Sequence, residues 1–166
     1  MTAILYGPNI GVAGSVSRKG ASHMQSYPVD STKPLTSYGR AVKSQASDGA
    51  VIPLEDGDAI STVLGFLVRP FPASGAPLQN AGFDVQTPNP IMMQDVLRRG
   101  YMTVVLKGVA RPSPRDPVYI RTSLPTATSA LGDVEAAAGA GLEQLPFAVF
   151  SGFADQKGNV EIEYNI

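Results

Sequence analysis

Residues 160–166, Val-Glu-Ile-Glu-Tyr-Asn-Ile, place every apolar side chain next to a polar one. Successive side chains point to opposite faces of a strand, so this alternation predicts a β-strand with one buried and one solvated face. The preceding residues 155–159, Asp-Gln-Lys-Gly-Asn, are typical of a turn in which Gly158 adopts a positive φ. The end of the chain therefore predicts a turn followed by a half-buried strand.

Short apolar runs bounded by turn residues recur through the rest of the chain, which is typical of an all-β sandwich or barrel. The run within residues 60–69 is too continuously apolar for a strand with one wet face. We expect a central strand there, with Gly65 at a bulge or a close backbone contact. Pro70 and Pro72 end it, because proline donates no hydrogen bond to a sheet. Further strands are predicted at residues 39–43, 50–54, 95–99, 101–107, 118–122 and 148–150.

Three segments lack a clear strand pattern. Residues 90–99 fit either a short helix with proline in its first turn or one side of a two-strand corner at Gly100. Residues 132–141 are rich in small side chains, and their glycines favour a loop or an edge. Residues 73–94 carry three prolines and predict a long loop, which in a compact domain is usually functional or ordered by a partner.

The first 22 residues are rich in glycine, alanine and serine and show no helical period. They form either a disordered terminus or an arm that becomes ordered on a neighbouring molecule. A length of 166 residues fits one domain. The prediction is an all-β fold, with an extended arm over residues 1–22 and a single compact β-barrel or jelly-roll-like domain over residues 23–166.

The composition excludes several classes of protein. The absence of cysteine excludes disulfides, thiolate zinc sites and cysteine nucleophiles. A net charge of −1 does not indicate a nucleic-acid binder, and no run approaches the roughly 18 apolar residues of a membrane span. The charge is uneven, since residues 98–121 hold six cations and one anion and residues 122–166 hold one cation and six anions. These two segments could pair within or between subunits, or simply be solvated.

No group of residues has the spacing of a catalytic or metal site. His23 is the single histidine and is more simply explained as a surface or turn residue than as a catalytic base. Residues 55–58 and the turn at Asp155 lack the glycine and glutamate positions of a calcium loop. Glu161 and Glu163 share one face of a strand, and a glycosidase would need such a pair of carboxylates. The solvated face of any strand shows adjacent carboxylates of this kind, so the pair is weak evidence for such a site. We therefore predict no catalytic residue, no metal and no cofactor.

Eight stretches occur in an order that matches a known family, and this order carries the resemblance more than any one motif does. They are residues 8–18, 38–42, 57–60, 65–72, 96–104, 117–121, 132–137 and 159–166. Together they resemble the structural cement proteins of tailed bacteriophages. The resemblance implies a β-barrel or jelly-roll-like body, a homo-oligomer, and attachment to the major capsid protein on the outer surface of the icosahedral head.

We therefore expect a non-enzymatic capsid decoration protein of the virion, which stabilises the assembled head by bridging major capsid protein subunits. It is expected to form a dimer or trimer and to bind neither a membrane nor nucleic acid directly. The candidate residues for capsid or subunit contacts are Ile10, Val12, Arg18, Lys19, Phe83, Arg98, Arg99, Tyr101, Arg111 and Arg115.

Two other classes of function stay open. The first is a β-rich adhesion or tail-associated module that recognises a host glycan or receptor, with tyrosines in place of the missing tryptophan. The second is a small oligomeric β enzyme, such as a nucleotide hydrolase. The enzyme is disfavoured because no acid, base and phosphate-binding set converges in the sequence.

Overall fold

The computed structural model describes residues 11–70 and 87–165. These residues form an all-β fold, as the sequence predicts, with two short 3-10 turns at Lys19–Ala21 and Ile60–Thr62. The strands are β1 (His23–Tyr27), β2 (Ala41–Ser44), β3 (Val51–Pro53), β4 (Val63–Leu67), β5 (Gln94–Lys107), β6 (Pro117–Arg121), β7 (Val134–Glu135), β8 (Leu142–Phe150) and β9 (Asn159–Tyr164).

The long strand β5 organises the whole sheet. Its first half pairs with β1 and with β4, and β4 continues to β2 and β3. Its second half pairs antiparallel with β9 and parallel with β7. Since β9 pairs with β8, β8 with β6, and β6 with β7, the pairings that leave β5 also return to it. Five strands thus form a closed circuit of hydrogen-bonded pairs.

Two clusters of buried side chains fill the fold. The larger cluster takes alternate residues of the circuit strands, and Met102, Ile120, Phe150 and Ile162 are fully buried in it. In β9 the residues Val160, Ile162 and Tyr164 are buried, so the predicted alternation is confirmed. The turn before β9 is confirmed as well, with Gly158 at φ 82°. The smaller cluster comprises Leu35, Tyr38, Val42, Val51, Leu67 and Val96.

Gly65 occupies the central strand β4 at a point where no side chain fits. A Cβ atom at this position would overlap the carbonyl oxygen of Leu97 on β5. The pairing of β4 with β2 also shifts there, since Val42 lies opposite Gly65 while Lys43 lies opposite Val63. Gly65 therefore lies both next to a bulge and at a close backbone contact, and both predicted roles are confirmed.

Strand β5 differs from the prediction for residues 90–107. It runs through Gly100 as one continuous strand, so the helical alternative for residues 90–99 is wrong. At Gly100 the strand changes partner from β1 to β9, and its φ of 132° is one that glycine tolerates. The sequence pattern of a long strand that changes its pairing partner at a glycine therefore resembles that of two strands joined at a corner.

Four other elements differ from the sequence prediction. Residues 60–62 form a 3-10 turn instead of the start of a strand, and β8 begins at Leu142 instead of residue 148. Residues 134–135 form the interior strand β7 within a segment predicted as loop or edge. The exposed strand β1, which no pattern predicts, owes its form to backbone pairing with β5.

Residues 11–22, the described part of the predicted arm, lie along β5. Gly14 donates its N–H to the carbonyl of Thr103 at 2.8 Å, and Thr103 donates to the carbonyl of Ser15 at 2.9 Å. Val16 packs against the larger core cluster. This half of the segment is therefore bound to the body. Residues 1–10 with Ile10, and residues 71–86 of the predicted loop with Phe83, lie outside the described residues.

Candidate contact surfaces

Lys19 lies in the first 3-10 turn. The other described candidate contact residues form three groups near β5. The three groups, from the start of the strand to its end, are Arg98 with Arg99, then Arg18 with Tyr101, then Val12 with Arg111 and Arg115. The basic segment 98–121 is thus divided between two ends of the circuit, and its last cation, Arg121, is buried.

The middle group, Arg18 with Tyr101, binds the N-terminal segment to the sheet. The guanidinium of Arg18 donates to both carboxylate oxygens of Glu161, at 2.7 and 3.3 Å, and its carbon lies 4.1 Å from the Tyr101 ring centre. Burial alone would raise the pKa of Glu161, but hydrogen bonds from Ser17 and Arg18 outweigh it and hold that pKa below its ordinary value. Arg18 and Tyr101 are therefore engaged within the chain.

The first group lies where β9 ends. Arg98 donates from Nη1 to the Tyr27 hydroxyl at 2.8 Å, and its carbonyl accepts the side-chain amide of Asn165 at 3.0 Å. Arg99 is exposed and forms no salt bridge with any residue in the two described ranges. This end of the circuit presents a positive charge to solvent.

The third group lies at the opposite end, on two loops that we call the loop end, residues 108–116 and 151–158. Arg115 donates its N–H to the carbonyl of Phe150 at 2.8 Å, and Phe150 donates to Asp116 at 2.9 Å. Leu106 donates to the carbonyl of Gly158 at 2.8 Å. These backbone bonds hold the two loops side by side, although they are far apart in sequence.

The loop end combines apolar tips with cations. Val109 is 99% exposed, and Phe153 on the second loop is exposed as well. The cations are Arg111, Arg115 and Lys157, and all three are exposed. Of the two acidic residues, Asp155 is buried and accepts the N–H groups of Lys157 and Asn159. Charge and apolar area therefore point outward together, which is the composition of a protein-contact surface.

Val12 brings the N-terminal segment to the same end. It lines a cavity of about 130 Å³ together with Val105, Lys157 and Asn159. The described chain therefore begins beside the second loop of the loop end. Val109 and Phe153 were missed by sequence reasoning, although each occupies the middle of a Gly-apolar-Ala triplet, at residues 108–110 and 152–154. An apolar side chain flanked by small residues in a turn-rich loop is a signal that could have found them.

Three of the six acidic residues in the C-terminal segment 122–166 form salt bridges. Asp133 pairs with Arg40 at 2.8 Å, Glu135 with Arg121 at 2.5 Å, and Glu161 with Arg18. Of these three salt bridges, only the one between Arg121 and Glu135 joins the basic segment 98–121 to the acidic segment 122–166. The cations of the other two bridges, Arg18 and Arg40, lie earlier in the chain. None of these three bridges involves the loop-end cations Arg111, Arg115 or Lys157.

The described residues carry no arrangement that suggests catalysis. No group of three or more histidine, cysteine, aspartate or glutamate side chains among them could hold a metal ion. The acidic cluster at residues 55–58 forms a turn, as predicted, in which hydrogen bonds from Lys33 and Lys43 lower the pKa of Glu55 to about 2. Within the described ranges, no helix is long and apolar enough to cross a membrane.

Comparison with known proteins assigns the chain to a family. Residues 1–164 match the family described as XM1 gp53 minor capsid protein. The chain belongs to this family. A chain of the solved structure "The capsid of Myoviridae Phage XM1" is 23% identical and superposes with a TM-score of 0.67, over 99% of this chain and 94% of that one. No curated protein matches the chain.

Membership in the minor capsid family identifies the chain as a structural protein of a phage capsid and places it in the virion. The predicted resemblance to capsid-associated phage proteins is confirmed. At 23% identity the likeness to the XM1 capsid chain shows a shared fold. The family match spans nearly the whole chain, so the all-β body itself is the capsid component.

Proposed function

We propose that this family member is a cement protein that binds the outer surface of the assembled head and bridges major capsid protein subunits without catalysing a reaction. The observation that supports this most is the match of residues 1–164 to a minor capsid family. Self-association as a dimer or trimer is part of the proposal, because linked copies gain avidity on a repeating lattice.

The loop end is the surface that we assign to the shell. It combines the exposed apolar residues Val109 and Phe153 with three exposed cations, Arg111, Arg115 and Lys157. Apolar anchors supply most of the affinity of a protein interface, while the surrounding charges select a partner of opposite sign. The expected partner surface is an apolar depression with carboxylates at its rim on the major capsid protein.

Binding alone is sufficient for stabilisation. A protein that binds the assembled lattice but not its dissociated subunits stabilises the lattice by mass action, by about 2.7 kcal/mol per site at a hundredfold excess over the dissociation constant. The closed strand circuit keeps the contact loops in place, so that little conformational entropy is lost on binding. No covalent step is required.

The proposal is tested by adding the purified protein back to heads that lack it and measuring DNA release during heating. We expect a higher release temperature with wild-type protein and a smaller gain with Val109→Asn. Leu124→Asn is the matched control, since Leu124 is also an exposed aliphatic residue but lies away from the loop end. Unchanged release with wild-type protein would contradict the proposed function.

The copy number in purified virions gives a second readout. Quantitative mass spectrometry is expected to find the protein in a simple ratio to the major capsid protein, as a lattice-wide cement requires. A handful of copies would indicate a vertex or tail component instead.

Four of the five described tyrosines are engaged within the chain, which disfavours the adhesion alternative. Tyr38 and Tyr164 are buried, Tyr101 is covered by Arg18, and Tyr27 bonds to Arg98, whereas Tyr119 is half-buried. Glycan-array binding together with an absence of head binding would favour that alternative over the cement function.

A further inference from the structure

Phe147 on β8 is 81% exposed and has a φ of 57°. In the left-handed region the Cβ atom lies close to the backbone, so bulky residues rarely occupy it. At 81% exposure, the ring of Phe147 gains little from packing within the chain, although its backbone is in this strained region. Outliers of this kind concentrate at functional contacts.

The left-handed conformation of Phe147 shifts the alternation of buried and exposed side chains along β8. Leu145 faces the core, so simple alternation would also bury Phe147. The left-handed residue shifts the pattern by one, so that Ala148 and Phe150 are buried instead. The aromatic side chain that alternation would place in the core therefore faces solvent.

Asn165, the last described residue, holds Phe147 in this conformation. Asn165, itself at φ 56°, donates its N–H to the carbonyl of Phe147 at 2.8 Å. Its side-chain amide donates to the carbonyl of Arg98 at 3.0 Å. Asn165 thus joins the backbone of Phe147 to that of the Arg98–Arg99 pair. Phe147 and the exposed Arg99 belong to one surface, which we call the aromatic end.

From these observations we infer that Phe147 anchors a second contact, at the opposite end of the circuit from the loop end, on a neighbouring capsid subunit. The fitting partner is an apolar pocket with carboxylates at its rim, because Arg99 supplies a positive charge that no described residue neutralises. A second copy of this chain fits less well, since a twofold contact would place the arginines of both copies opposite each other.

The inference rests on the proposed function and explains how one copy bridges two subunits. Gly100 lies level with Tyr164 near the aromatic end, and Lys107 leads into the loop end. Seven residues of strand at about 3.3 Å each separate the two ends by about 23 Å. Contacts at both ends can therefore hold two different neighbours at once.

The test replaces Phe147 by asparagine, which tolerates the left-handed region and removes the aromatic ring. Phe147→Asn is expected to unfold at the same or a higher temperature than the wild type, because backbone strain is relieved. Binding to heads that lack the protein is expected to weaken about tenfold to a hundredfold, the loss that one buried phenylalanine anchor accounts for. Arg99→Glu is expected to weaken binding as well.

Leu124→Asn is the matched control. Leu124 is also exposed and left-handed, at φ 51°, but its N–H donates to Asp56 and its carbonyl accepts from Arg121, so its conformation has a role within the chain. We expect this variant to bind heads within twofold of the wild type.

Three results separate the explanations. If Phe147→Asn binds heads as tightly as the wild type, the inference is overturned while the cement function stands. If Phe147→Asn lowers the oligomeric mass by light scattering and leaves head binding unchanged, the contact lies between copies and the inference is again overturned. If the wild type itself does not bind heads, both the proposed function and the inference fail.

Discussion

Replacing Arg121 by methionine is expected to destabilise the protein strongly, because it leaves a buried carboxylate without its partner. The guanidinium lies 2.5 Å from Glu135 Oε1, and the two side chains are only 9% and 13% exposed. Arg121 also donates to Ser129 Oγ at 2.9 Å and to the carbonyls of Leu124 and Ala140 at 3.0 and 3.3 Å. One side chain thus secures most of the segment between β6 and β8.

The magnitude follows from the burial of the pair. Removing one partner of a buried ion pair costs about 3–5 kcal/mol, because the other charge stays in a medium of low dielectric constant. That is a large part of the roughly 5–15 kcal/mol that stabilises a domain of this kind. The double variant Arg121→Met, Glu135→Gln removes the orphaned charge, and we expect it to recover at least half of the loss.

The assay is urea unfolding followed by circular dichroism, which yields the free energy of unfolding from the midpoint and slope. Arg121→Lys keeps the charge but loses the forked geometry, and it serves as the milder variant if Arg121→Met does not fold. A loss below about 1 kcal/mol for Arg121→Met, or a double variant as unstable as the single one, would refute this reasoning.

Three further predictions concern the core and the pH dependence. Gly65→Ala is expected to lower the free energy of unfolding by about 1–3 kcal/mol because its methyl group overlaps Leu97, whereas Gly20→Ala, which meets no neighbouring atom, should change it little. Met102→Ala creates a cavity in the fully buried core and is expected to cost about 2–5 kcal/mol in the same urea assay. The pKa of Glu55, lowered from 4.5 to about 2, makes this carboxylate stabilising above its unfolded pKa, and the benefit is lost as pH falls towards 2. Glu55→Gln should therefore show a smaller fall of the urea midpoint between about pH 5 and pH 2 than the wild type, and an equal fall would contradict the assignment.

Local patterns predict the elements whose burial depends on their own residues. The alternation in β9 and the glycine within the continuous apolar run of β4 both appear in the structure as expected. In contrast, the exposed β1 has no apolar face and exists because its backbone pairs with β5. No pattern within five residues can report a partner that lies about seventy residues away in the chain.

The contact surfaces show the same division. The sequence indicates which residue types could serve a contact, such as Arg111 and Arg115, but it gives no sign that Arg121 of the same basic stretch is buried in an ion pair. Exposure of Phe147 is likewise unpredictable, because alternation from Leu145 would bury it. Side-chain type is a local property, whereas exposure depends on the surrounding chain.

By itself, the sequence determined the all-β class, the turn and strand at the C-terminal end, and the resemblance to capsid-associated proteins, because periodicity, turn chemistry and segment order are written along the chain. Only the tertiary structure decided which surfaces those strands present. Hydrogen bonds between residues far apart in sequence close the circuit, bring loops 108–116 and 151–158 together at one end, and link Phe147 to Arg98 through Asn165 at the other. These long-range pairings place the two proposed contact surfaces at opposite ends of a strand segment, Gly100 to Lys107, that is about 23 Å long, and the proposed bridging requires a separation of this kind.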